Sequence, residues 1–201
     1  MPIYKHHKVN SIAKLWVWQI TEDEQDLTKN LSLTLYCNQR LQAMSHSSQR
    51  KGFLAVRSLV EVAGIPLDQL RYTSDGKPFL EYGPYISFSH TKDFAAVAIG
   101  QAPIGVDVER HRAKVKHVAK KFVNPADQAP QQTIADLTDL WCAKESMYKA
   151  ISIPGIRFSK DIFVDLTTPK KEIAVYNDQT YDLFRYTWQE HSCALTIKNQ
   201  V

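Results

Sequence analysis

Two stretches of the sequence hold residue types suited to chemistry on anionic oxygens. In IGVDVE, residues 104–109, Asp107 and Glu109 lie two positions apart among valines and an isoleucine. Side chains alternate across a strand, so Ile104, Val106 and Val108 would face one way and Gly105, Asp107 and Glu109 the other. Two carboxylates on one face repel unless a cation sits between them or solvent screens them. A hard divalent cation such as Mg²⁺ suits one or two carboxylates, with waters and phosphate oxygens completing its shell. The competing reading is the solvated face of an edge strand, which is common in antiparallel sheets.

The second stretch is WCAKESMYKA, residues 141–150. On a helix, Leu137, Leu140, Trp141, Tyr148 and Ile151 make an apolar stripe, and Lys144 falls near its centre, where charge is rare. Glu145 and Lys149 stand at i and i+4. Their plain reading is a surface ion pair worth a few tenths of a kcal/mol, ~0.2–0.5, and that of Lys144 is a snorkelling stem. The sharper reading makes Glu145 a third carboxylate and turns both lysines toward anionic oxygens. SFSH, residues 87–90, puts Ser89 and His90 at a strand end, and GKP puts Lys77 on a tight turn. Arg50 and Arg57, seven apart, share one flank of an earlier helix; both read as surface charges. An acid pair, a third acid, several cations and a histidine suit metal-assisted transfer of a phosphorus-containing group. The chain has neither G-x-x-x-x-G-K-[ST] nor G-x-G-x-x-G, which argues against a P-loop or Rossmann enzyme.

The elements that must position these residues follow from pattern. AKLWVWQI (13–20) reads as a strand. TEDEQDLTKN follows it, with Thr21 as candidate N-cap. Phe53, Val56, Leu59, Val60 and Ala63 predict a helix over about 45–63, ended by Gly64 and Pro66. TSDGKPFL is turn chemistry. The runs 94–99 and 104–109 predict an antiparallel hairpin across QAP. Helices are predicted over about 113–123 and 134–151, separated by a polar loop at 124–133. Four short β runs close the chain. Strands and helices do not alternate strictly, which predicts an α+β fold rather than a parallel α/β sheet.

The 201 residues, 44% hydrophobic and 23% charged, are ordinary for a globular protein, with core enough for one domain or two small ones. A net charge of +4 is too mild for a nucleic-acid binder but suits an anionic ligand or an acidic partner. Three widely spaced cysteines make neither a disulfide framework nor a metal pattern, so a cytoplasmic setting is expected. The N-terminus lacks an apolar signal core and no run reaches membrane-spanning length.

IGVDVER followed by WCAKESMYKA resembles the paired signature of the 4′-phosphopantetheinyl transferases, of the larger, pseudo-dimeric, surfactin-synthetase-activating type. Asp107 and Glu145 lie 38 positions apart, as in that pattern, and DGKPFL and SFSHT match two upstream motifs in order. The resemblance covers about residues 50–160. It implies two similar α+β halves, 1–103 and 104–201, related by a pseudo-twofold with the ligand site between them. It also implies a holo-[carrier-protein] synthase: a Mg²⁺-dependent enzyme that moves phosphopantetheine from coenzyme A to a serine of an apo acyl, peptidyl or aryl carrier protein. The other product is adenosine 3′,5′-bisphosphate.

Carried over residue by residue, Asp107, Glu109 and Glu145 would hold the metal. Glu145 would take the serine proton and Lys149 would stabilise charge on the phosphates. His90 and Lys144 would be further pyrophosphate contacts, Arg50 would meet the 3′-phosphate, and Lys77 and Ser89 would line the nucleotide site. Lys114, Lys116, Lys120 and Lys121 would steer an acidic carrier or simply solvate a helix. The expected state is a monomer with no nucleic-acid or membrane partner, and the carrier's pathway stays open among fatty-acid, polyketide and nonribosomal-peptide synthesis. The rivals are another metal-dependent phosphoryl or nucleotidyl transferase and a non-catalytic anion-binding module.

Overall fold

The structure, a computed structural model, describes residues 3–168 and 172–199. Strands β1 (Ile3–Lys8), β2 (Ala13–Gln19), β5 (Tyr85–His90) and β6 (Phe94–Gly100) form an antiparallel sheet in the order β1-β2-β6-β5. β3 (Leu70–Tyr72) and β4 (Pro78–Leu80) make a small hairpin around the DGK turn. A second antiparallel sheet takes β7 (Ile104–Arg110), β8 (Phe163–Asp165), β9 (Ile173–Tyr176), β10 (Gln179–Trp188) and β11 (His191–Lys198) in the order β7-β11-β10-β9-β8. The expected α+β class holds.

Alternation sorts the core into layers. In β2, Trp16 and Trp18 point to one face and pack with Phe53, Val56, Leu59 and Val60 of helix α3 (Ser47–Val62). Leu15 and Val17 point to the other face and pack with Val106, Val108 and Leu195 of the second sheet. The outer face of that sheet, with Ala174, Leu183 and Ala194, is covered by Leu140, Ala143 and Met147 of helix α5 (Ile134–Ile151). The layers therefore run helix, sheet, sheet, helix. Central β6 is buried on both faces, which is why it reads FAAVAIG without a charge.

Several expectations need correction. The 94–99 and 104–109 runs do not pair: β6 ladders with β2 and β5, and β7, among the described residues, ladders only with β11. At Gly100, where the chain leaves the first sheet for the second, a Cβ would lie 3.0 Å from Ile104 Cδ1 and 3.1 Å from Ile197 Cδ1, a tight fit against both side chains. The first helix, α1 (Glu24–Lys29), is capped by Asp23 rather than Thr21, with Asp23 accepting from the Asp26 N–H. The region 113–123 is broken into α4 (Lys114–Val118) and a 3₁₀ turn, and the 124–133 loop is pinned by a bridge between Gln128 and Asp165. Helices α2 (Leu35–Gln42) and α6 (Phe158–Asp161) are additions to the sequence reading. Arg57, read as a surface charge, is 2% exposed, its guanidinium 3.3 Å from the Phe53 ring centroid and bonded to the Tyr72 hydroxyl.

Candidate functional site

β7 is an edge strand, and its outer edge is where the acidic residues gather. Val106 stands opposite Leu195 in the ladder, and its backbone is engaged on the side away from β11: its N–H donates to Ser87 Oγ at 3.0 Å, and its carbonyl accepts from Lys149 Nζ at 2.9 Å. One residue earlier, α5 lies so close to β7 that a Cβ on Gly105 would sit 1.9 Å from the Ser146 carbonyl oxygen. That contact needs glycine and brings the Glu145–Lys149 turn against Asp107.

Asp107 is 4% exposed. Its Oδ1 accepts from Ser89 Oγ and from Lys149 Nζ, each at 2.8 Å. Its Oδ2 is buried and accepts from no donor among the described residues. Burial alone would lower the Lys149 pKa, but the Asp107 carboxylate, with help from Glu145, more than offsets this and raises it. Glu145 is half-buried. Desolvation, reinforced by Asp107 and Glu109 and only partly opposed by Lys149, pushes its carboxyl up to about 7. Glu109 is raised for the same two reasons, burial first and Asp107 second, against an opposing hydrogen bond from Trp141. Glu109 and Glu145 thus both feel the Asp107 charge.

His90 packs over Gly52 of α3, where a Cβ would fall 2.3 Å from its Nδ1. Desolvation holds the imidazole below its ordinary pKa, with Lys149 and Arg57 adding to the effect. A cleft of about 310 Å³ opens beside the acids, lined by Lys77, Ser87, Phe88, Tyr148 and Lys149. Burial lowers the Lys77 ammonium pKa, with Asp75 opposing. On the far side of Glu109 a cleft of about 460 Å³ is lined by Arg110, Arg112, Lys114, Lys121 and Trp141.

Two expected contacts are placed elsewhere. Lys144 does not reach the acids. It is 0% exposed and spends all three donors on Asp127 Oδ2 at 2.7 Å, the Phe158 carbonyl at 3.0 Å and the Ile162 carbonyl at 2.9 Å. An ammonium in an apolar stripe needs such complete pairing, and Asp127, with no neighbour in sequence to announce it, supplies the charge. Arg50 is held by Glu24 at 2.8 Å and by the Met44 carbonyl. Ser87 and Asp127 are among the buried polar side chains that sequence reasoning passed over; the alternation of SFSH, which sets Ser87 on the same face as Ser89, was the available signal for the first.

Among the described residues no trio of His, Cys, Asp or Glu is already gathered at metal-binding distances. The chemistry of the acids nonetheless fits a hard cation: all donors are carboxylate oxygens, Asp107 Oδ2 is buried without a partner among the described residues, and Glu109 and Glu145 are raised first by burial and then by the Asp107 charge, both of which a dication would offset.

Fold and site together define an α+β protein with an acidic, oxygen-lined centre flanked by cations where two sheets meet. Residues 103–197 match the model of the 4′-phosphopantetheinyl transferase superfamily, a span that holds all three acids and Lys149. It is 28% identical over 109 residues to the 4′-phosphopantetheinyl transferase gsp of Aneurinibacillus migulanus, covering 50% of this chain and 46% of that protein. It is 28% identical over 126 residues to a 4′-phosphopantetheinyl transferase of Bacillus subtilis, covering 55% of each. A third relative, 4′-phosphopantetheinyl transferase psf-1 of Bacillus pumilus, is 26% identical over 66% of this chain and 64% of its own length. The chain spans about half the length of the first two of these relatives. No helix among the described residues is long and apolar enough to cross a membrane.

Proposed function

We propose that the protein transfers the 4′-phosphopantetheine group of coenzyme A to a serine of an apo carrier protein in the presence of Mg²⁺. The observation that carries this reading is the buried Asp107 Oδ2, unpartnered among the described residues, on a carboxylate that is ion-paired to Lys149 and raises both Glu109 and Glu145. Asp107, Glu109 and Glu145 would hold the cation, which when bound supplies electrostatic stabilisation to phosphoryl oxygens. The serine oxygen bonds to the β-phosphorus, the bond from that phosphorus to the bridging oxygen breaks, and adenosine 3′,5′-bisphosphate leaves. Glu145 takes the serine proton. Lys149, beside the cleft, stabilises charge on the phosphates, and His90 and Lys77 provide further contacts for the anionic substrate.

The first sheet is drawn from residues 3–100 and the second from 104–198, each with one long helix on its outer face. This supports two halves, 1–103 and 104–201, related by a pseudo-twofold, with coenzyme A bound between them. Three free, buried cysteines suit a reducing compartment. The basic rim of Arg110, Arg112, Lys114 and Lys121 beside Glu109 suits an acidic carrier.

Incubation with a panel of apo carrier proteins, coenzyme A and Mg²⁺, followed by intact mass, tests the reading. The expected result is a phosphopantetheine adduct that chelator prevents. No adduct on any carrier would overturn it, and transfer of a nucleotide instead would favour a nucleotidyl transferase.

A further inference from the structure

Among the described residues β7 has no ladder partner on its outer edge, yet Asp107 must be presented there to groups from another sheet. Neighbouring β11 holds β7 from one side only. On the open side the Val106 N–H ends on Ser87 Oγ at 3.0 Å, and Ser87 belongs to β5, itself the edge of the first sheet. Ser87 is 4% exposed, and Ser89, two residues on and so on the same face, donates to Asp107 Oδ1 at 2.8 Å. The two serines span the gap that a ladder would otherwise fill.

We propose that Ser87 is a positioning residue for Asp107. Its hydroxyl fixes the N–H of Val106, the residue before Asp107, and Lys149 fixes the carbonyl of that same residue. The carboxylate is thereby held in reach of Ser89 and Lys149 before any ligand arrives. Preorganisation of this kind acts on the rate of the chemical step rather than on substrate capture. The kinetic part of this inference rests on the transferase reading; the structural part does not.

The test compares Ser87→Ala with Ser87→Thr, which keeps the hydroxyl. In Ser87→Ala the Val106 amide loses its acceptor, and its hydrogen exchange is expected to rise about tenfold while the amides of β2 and β6 stay protected. Turnover should fall about tenfold, with KM for coenzyme A within about twofold. Ser87→Thr should recover both properties. Unchanged Val106 exchange in Ser87→Ala, or a threonine variant as impaired as the alanine, would overturn the assignment. So would a raised KM at constant kcat, which would mark Ser87 as a ligand contact instead. If the unmodified protein transfers nothing, the transferase reading fails, and the exchange measurement still decides the role of Ser87.

Discussion

Lys149 Nζ and Asp107 Oδ1 lie 2.8 Å apart, in an ion pair that fastens α5 to the outer edge of β7. Asp107→Asn keeps the shape of the side chain and removes its charge. Turnover on a carrier protein should fall by at least ~10²–10³-fold, and Lys149 should titrate lower, since the Asp107 carboxylate holds it up. Intact-mass time courses and NMR titration of the ammonium read the two effects. Wild-type turnover in this variant would remove Asp107 from the chemistry.

Metal and protons should compete at Glu145 and Glu109. In the folded, metal-free protein both carboxyls bind protons more tightly than in the unfolded chain, Glu145 at about 7 against an ordinary 4.5. The stability they contribute is therefore present at low pH and is lost as pH rises through that interval. A bound dication replaces the proton, so the rise in Tm on adding Mg²⁺ should be larger at about pH 8 than at about pH 5.5. Glu145→Gln should flatten that dependence. A Mg²⁺ shift of equal size at both values would contradict the assignment of these acids as ligands.

Breaking the buried Lys144–Asp127 pair should cost stability rather than substrate affinity. Both side chains are 0% exposed, so Lys144→Met leaves a buried carboxylate without its partner. Loss of one member of such a pair typically costs about 3–5 kcal/mol. Urea denaturation should report that loss, while coenzyme A affinity of the folded fraction, measured calorimetrically, should stay within about twofold. A large loss of affinity with unchanged stability would return Lys144 to the phosphate-binding role that its motif suggests.

Gly105→Ala should separate α5 from β7. The added Cβ would lie 1.9 Å from the Ser146 carbonyl oxygen, which is backbone and cannot swing away. Overpacking of this kind costs about 1–3 kcal/mol, and the shift should also lengthen the Lys149–Asp107 contact. Denaturation and the Lys149 titration should change together; a stable variant with an unaltered titration would show that the helix has room to spare.

Much of the centre is legible in the sequence because two local periods carry it. Period two puts Asp107 and Glu109 on one face of β7, and the four-residue helix repeat puts Glu145 and Lys149 on one side of α5. What local periods lack is the partner across space. Lys144 sits on the helix beside Glu145 but turns inward, because Asp127 and two carbonyls wait there. Arg57 looks like a surface charge until the Phe53 and Tyr72 rings close over it. The hairpin expected across QAP fails for a similar reason: 94–99 and 104–109 both read as strands, but burial on both faces assigns them to different sheets. Helix α2 has a capping threonine at Thr34 and little apolar stripe, with Cys37 its buried residue, so its pattern is faint.

The Val106 peptide has one more consequence. A strand whose outward N–H and C=O are free is a template on which another polypeptide can add. β7 offers no such invitation at its centre, because Ser87 and Lys149 already occupy both groups. The contacts that hold the acid in place also guard this border of the sheet against aggregation, so a variant that loosens them should lose solubility along with turnover.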